Sequence, residues 1–228
     1  MFPSLRSPGP NSPSLRSPSS LATLLALADS RLPTGAHVHS GGIEEAITAG
    51  MVIDLTTLKA YLTRRISSQG LVSASLAAAV HTGSLAIGVA DAETDARTPS
   101  PAARAASRAQ GRGLVRLAKR VWPVHDWQPL GIKPHLAVAA GAVGIAGGIA
   151  PEHTALSMVY TTMTGSATAA QRLLALDPAD VAALTFQLSA LCEKTAALAV
   201  KELADLSDPL LDVLSEAHAV RERPLFVS

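Results

Sequence analysis

Residues 37–45, HVHSGGIEE, place two imidazoles, a hydroxyl and two carboxylates within one short stretch. His37 and His39, two apart in an extended segment, point to the same side and would share a metal ion if further ligands came close. Glu44 and Glu45 are the nearest oxygen donors, but they belong to the helix that follows. A histidine ring bonded to the backbone near Gly41-Gly42 accounts for the pair with fewer requirements. Ser40 as a nucleophile would need a histidine base oriented by a carboxylate. The adjacent His39 rarely achieves that geometry, and no G-x-S-x-G elbow occurs in the chain. The two glycines read as a site of positive φ or of close backbone approach.

Three further stretches have the composition of a site. GAVGIAGG, residues 141–148, is rich in glycine but lacks both the Lys-Ser/Thr ending and the preceding strand of a phosphate loop. Gly144 and Gly148, one turn apart, predict close helix packing instead, since each glycine costs a helix about 1 kcal/mol relative to alanine. Arg108, Arg112, Arg116 and Lys119 recur at helical spacing and form a basic stripe. It is either a solvated face or a docking face for an acidic partner. No aromatic residues interleave, which argues against a platform for nucleic acid. At the C-terminal end, Leu225, Phe226 and Val227 follow the charged run Arg-Glu-Arg, and so apolar an end implies docking on this chain or on a partner. The single cysteine, Cys192, excludes an intrachain disulfide and reads as a buried small apolar residue of a helix. No catalytic constellation is complete. The residues point to an interaction protein, with a metal-dependent enzyme built on His37, His39 and Glu44 as the competing reading.

The elements that must position these residues are helical. Of 228 residues 48% are hydrophobic but only 3% aromatic, so the apolar mass is mostly Ala, Leu, Val and Ile. Such side chains favour closely packed helices over a sandwich of strands. Nineteen basic and 18 acidic residues leave a net charge of +1, without the basic excess of a nucleic-acid binder. Residues 1–20 repeat SLRSP within a Pro/Ser-rich tail that is expected to be disordered. No secretory signal is legible, and the apolar stretch 136–150 is too short to span a bilayer, so a cytoplasmic protein with no membrane association is expected.

From Leu21 the apolar spacing is that of helices. Helices are predicted over 21–28, 43–49, from an Asp54 cap to about 70, over 71–82, over 102–121, and over about 135–149, 151–176 and 179–204. Pro178 follows the cap Asp177, and a short helix starts near Asp208-Pro209. Residues 88–101 read as a polar crossing and 122–134 as a loop. The expectation is an all-α, single-domain bundle of roughly eight to ten helices over residues 21–228.

The stretch LLALADSRLPTGAHVHSGGIEEAITAG resembles the N-terminal signature of the urease accessory protein family UreF, carried here by Asp29, Ser30, Pro33, Gly35, His39, Ser40, Gly42 and Glu44. SRAQGR with Arg108, Gln110 and Arg112, PHLAVAAGAVGIAGG, AAQRLLALDP with Gln171 and Arg172, and the terminal LFVS with Leu225 and Phe226 extend the resemblance from about residue 21 to the end. The family usually has an aromatic residue at the position of His37, so the histidine pair is not a family metal site. It often carries an Arg and a Pro-Leu-Gly-Gln run where this chain reads YTTMTGSATAAQRLL, so of that element only Gln171 and Arg172 carry over. The resemblance implies an all-α, dimeric scaffold with no chemistry and no bound cofactor of its own. It would bridge a UreD/UreH-like protein and a UreG-like GTPase in delivering nickel to apo-urease, with nickel and GTP handled by those partners. It also implies that the C-terminal end orders on the UreD-like partner and that the residues named above meet partners.

Overall fold

The computed structural model describes residues 21–29, 32–33 and 41–221, and among them every regular element is a helix. In chain order these are α1 (Leu21–Leu27), α2 (Ile43–Thr48), α3 (Leu55–Arg65), α4 (Leu71–Thr82), α5 (Ile87–Ala96) and α6 (Pro101–Val121). They continue as α7 (Leu136–Ala146), α8 (Pro151–Leu173), α9 (Pro178–Ala199) and α10 (Pro209–Ala219).

Local chemistry sets most of the boundaries. Asp54 caps α3 in a reciprocal box: its carboxylate accepts from the Thr57 amide at 2.8 Å, and its own amide donates to the Thr57 hydroxyl at 3.0 Å. α6, α9 and α10 each begin with a side-chain cap, from Ser100, Asp177 and Asp208, followed by proline. Proline has no N–H to leave unbonded in a first turn.

Three sequence expectations change. Residues 88–101 are not a polar crossing: α5 occupies most of the stretch, because Ala90 and Thr94 face the core while the charged residues face outward or pair with α6. The helix predicted to end near 70 and the one starting at 71 form one continuous rod, joined by a π-helical turn over Ile66–Gly70. Gly144 packs as expected, but Gly148 does not. It sits at φ +63° just past α7, where Ile149 N–H reaches Gly144 O and Gly148 N–H reaches Ile145 O, the paired bonds of a glycine-terminated helix end.

α4 and α7 lie at the centre, with eight buried residues each, and α8 and α9 pack across them. The small side chains foreseen from composition do the work at the contacts. A Cβ on Gly141 would lie 2.6 Å from Ala77 O on α4, and one on Gly144 would lie 2.1 Å from the Thr154 hydroxyl on α8. Leu58, Leu62, Ile66 and Leu76 are fully buried along the α3–α4 rod, each contributing about 2 kcal/mol by removal from water. Cys192 is buried with its Sγ 3.7 Å from Met163 Sδ, and burial pushes its thiol up to about 11, which removes it as a nucleophile at neutral pH.

Candidate functional site

The Gly41-Gly42 pair is a clamped turn. Both residues have positive φ, +64° and +86°, which glycine adopts without strain. The Gly41 carbonyl accepts two hydrogen bonds from α3, from the Tyr61 hydroxyl at 2.8 Å and from Arg65 Nη1 at 2.6 Å. A Cβ on Gly41 would lie 2.3 Å from the Arg65 guanidinium, and one on Gly42 would meet Tyr61 and Leu214 of α10. Arg65 is almost fully buried and also reaches Thr162 O on α8 at 3.4 Å, so one side chain ties the turn to two helices. It stands at the junction of α3 with the π turn, an irregularity often found at functional positions. Burial raises the Tyr61 phenol above its ordinary value, so it stays a neutral donor.

From this turn α2 carries Glu44 and Glu45 against α10. Glu44 is buried and accepts from His218 Nε2 at 2.8 Å, while Glu45 pairs with Arg221 at 2.9 Å. Arg221 also donates to the Thr48 hydroxyl at 2.8 Å. The other end of α10 is held the same way. Asp208 receives three bonds from Arg64, the shortest at 2.7 Å, and one from Ser68 at 2.6 Å. Asp212 accepts from the Ser100 amide at 3.1 Å, and Glu216 accepts from the Ser100 hydroxyl at 2.5 Å and the Ala102 amide at 2.9 Å. Those two carboxylates therefore satisfy donors at the start of α6. Burial works against ionisation of Asp208, but the bonds from Arg64 and Ser68 outweigh it and hold its carboxyl below the ordinary value.

A cavity of about 570 Å³ lies beside this junction and gathers residues from distant parts of the chain. Asp29, Gly41, Arg65, Gln110, Arg172 and Asp208 all line it. Asp29, Gln110 and Arg172 belong to three separate stretches of the family resemblance, and the fold brings them to one cavity. Pro33 is exposed, Gln171 is half-buried, and Arg112 is exposed on α6. His37, His39, Ser40, Leu225 and Phe226 lie outside the described residues. The carboxylate of Glu44, the oxygen ligand of the competing metal reading, bonds His218.

Arg108 departs from the stripe predicted for it. Its guanidinium turns inward to Asp91 at 2.9 Å and Asp95 at 2.7 Å of α5, and donates to Lys133 O at 2.6 Å. His135 completes the cluster from the N-terminus of α7. Fully buried, it bonds Asp95 through Nε2 at 2.9 Å and the Ser107 hydroxyl through Nδ1 at 3.0 Å. Burial lowers its pKa, Arg108 adds to that effect and Asp95 opposes it, so the ring is neutral near pH 7. Asp91, Asp95 and His135 stand close enough to share a cation. The Arg108 guanidinium already supplies the positive charge there, which makes the cluster a structural tie between α5, α6 and α7.

Arg65, His135 and His218 carry these arrangements, and none was singled out in the sequence. His135 lies inside a stretch that bears the resemblance, and its position before a helix start is the one signal that could have found it. Arg65 and His218 sit inside ordinary helical patterns.

Comparison with known proteins gives a concordant result. A model of the UreF family matches residues 52–189. The urease accessory protein UreF of Mycolicibacterium vanbaalenii is 78% identical over 213 residues, covering 92% of this chain and 100% of that protein. The proteins of the same description from Mycobacterium marinum and Mycobacterium tuberculosis are 73% and 69% identical, over 91% and 92% of this chain and 99% of each relative.

Proposed function

This chain belongs to the UreF family of urease accessory proteins, which serve urease maturation and are not enzymes, and we propose that it acts there as a bridging scaffold between a UreD/UreH-like protein and a UreG-like GTPase. In this reading the chain modulates GTP-dependent nickel delivery to apo-urease. It holds no resident cofactor: nickel is cargo, and GTP belongs to the GTPase. The protein works in the cytoplasm and as a homodimer.

One observation carries the reading. Asp29, Gln110 and Arg172 line one cavity, together with the clamped Gly41-Gly42 turn and residues of the C-terminal helix α10. Of the lining groups, Gly41, Arg65 and Asp208 are engaged in holding helices together. Such an arrangement presents shape and hydrogen-bonding groups to a partner. Arg221, the last described residue, stands at the junction where α2 and α10 meet.

The test is co-purification of the tagged chain with the UreD/UreH-like and UreG-like proteins, comparing the full chain with one lacking residues 222–228. That truncation spares His218 and Arg221, so α10 keeps its ties to α2. A ternary complex with the full chain, weakened by the truncation, is the expected result. Absence of any complex with the full chain would reject the scaffold role.

A further inference from the structure

The two halves of α6 treat their cations in opposite ways. In the N-terminal half, Arg104 and Arg108 pair with Asp95 and Asp91 of the neighbouring α5. In the C-terminal half, Arg112, Arg116, Lys119 and Arg120 are all exposed, and among the described residues none has a carboxylate or hydrogen-bond partner. The spacing places the four on one face, opposite the buried Gly111, Leu114, Val115 and Ala118. Lys119 and Arg120 in the last turn favour the negative end of the helix dipole. Arg112 and Arg116 gain nothing from it, and the pairs 112/116 and 116/120 repel at one-turn separation. A face serving only solubility has no reason to exclude acids, yet the 21 residues of α6 include no Asp or Glu.

A rigid apolar rim stands beside this ridge. The segment leaving α6 turns back and crosses it so closely at Gly111 that a Cβ there would lie 2.2 Å from Pro134 O. The segment is held by the buried Trp127, which donates from Nε1 to Trp122 O at 3.1 Å, and by the buried Leu130. From this anchored loop Val124 and Ile132 project almost wholly into solvent, at 99% and 86% exposure, with Val121 at 53% on the helix end. Arginine is enriched among the residues that carry binding energy at protein interfaces, and pre-ordered apolar tips lose little conformational freedom on docking.

The geometry points to a docking surface, formed by the C-terminal half of α6 and the 121–133 segment, for an acidic protein face that carries carboxylates around an apolar contact. This rests on the scaffold reading, and the acidic face belongs to one of the two accessory partners. A membrane fits less well, because the two tryptophans of the segment are tucked in and leave no aromatic anchor at the surface. Nucleic acid fits less well for the related reason that no exposed ring is available for stacking.

The experiment uses the full chain carrying Arg112→Glu, Arg116→Glu and Lys119→Glu, and separately Val124→Ser with Ile132→Ser. Arg104 and Arg108 are left untouched, and helicity and melting temperature confirm folding of each variant. The probes are the purified UreD/UreH-like and UreG-like proteins, alone and mixed, with binding followed by interferometry from about 50 to about 500 mM NaCl, across which charge screening becomes nearly complete. Charge reversal is expected to weaken assembly by roughly tenfold or more at low salt and to flatten its salt dependence, with the difference closing at high salt. The Val124/Ile132 variant is expected to weaken binding without changing the salt slope. A wild-type complex that both variants match at every salt concentration overturns this surface and leaves the scaffold reading standing. Failure of the wild-type chain to assemble overturns both. Anionic phospholipid vesicles and a short DNA duplex serve as controls. Charge-dependent binding to either, with protein assembly unchanged by the substitutions, also overturns the proposal.

Discussion

Glu44 and His218 join α2 to α10, whereas Asp91, Asp95, Arg108 and His135 join α5, α6 and α7. Both networks bury a histidine against a carboxylate, yet they hold very different helices. α10 buries only Leu211, Leu214 and His218, and its remaining ties are the half-buried Leu210 and polar bonds along its length. α7 buries eight of its eleven residues and approaches α4 at glycine distance. The first network fastens a helix that little else holds. The second lies inside packing that already holds its helices, and it neutralises groups that packing has enclosed. Equal chemistry therefore gives a principal fastening in one place and an integral tie in the other, because apolar burial around each pair differs.

The largest effect expected from breaking either network is that of His135→Ala. It opens a cavity and leaves Ser107 and Asp95 short of a partner, for a loss of about 3 kcal/mol. The loss should appear as a lower denaturant midpoint for the whole molecule. Loosening confined to α5 alone would contradict the integral role. Glu44→Ala should cost about 2 kcal/mol by leaving His218 buried without its acceptor. Here hydrogen exchange should rise across 209–219 while 71–82 stays protected, and an equal rise in both segments would erase the contrast. Arg221→Ala removes a partly exposed pair and should cost less than about 1 kcal/mol, measured by the same exchange protocol.

The smallest effect near neutrality comes from pH, and its sign differs in timing between the two networks. The folded His135 has a pKa below its ordinary value, so unfolding takes up a proton as pH falls below about 6.5, and stability is lost from there down to the depressed value. Asp208 and Glu216 have depressed carboxyl pKa values, the latter through the Ser100 hydroxyl and the Ala102 amide, so their contribution persists down to about pH 4 and is lost below it. Denaturant midpoints of the full chain should therefore begin to fall in mildly acid buffer. Exchange at the Asp208 and Glu216 ends of α10 should accelerate only in the carboxylate range. Coincident onset of both would show that α10 is not a separate unit.

Much of the fold could be read from neighbouring residues. Asp54 with Thr57, Ser100 with Pro101 and Asp177 with Pro178 announce helix starts because a cap and the amide it satisfies lie within three positions. The stretch 88–101 was misread for the same local reason. Its four charged residues look like a loop until α6 supplies the arginines that pair with Asp91 and Asp95, while Glu93 pairs with Arg97. Ile66–Gly70 hid a π turn because a register change leaves no compositional mark.

The amino-acid sequence by itself determined the helical class, most helix boundaries and, through a signature spread along the chain, the family. These depend on backbone propensity, on caps and on residue identity, all of which are local or directly comparable. Only the tertiary structure decided that Arg65 clamps Gly41, that Glu44 meets His218, that Arg108 turns inward while Arg112 stays exposed, and that Asp29, Gln110 and Arg172 line one cavity. Such pairings join groups 13 to 174 positions apart. Helix packing selects them by steric fit and by the cost of enclosing an unpaired polar group, and neither is written in the spacing of residues along one helix.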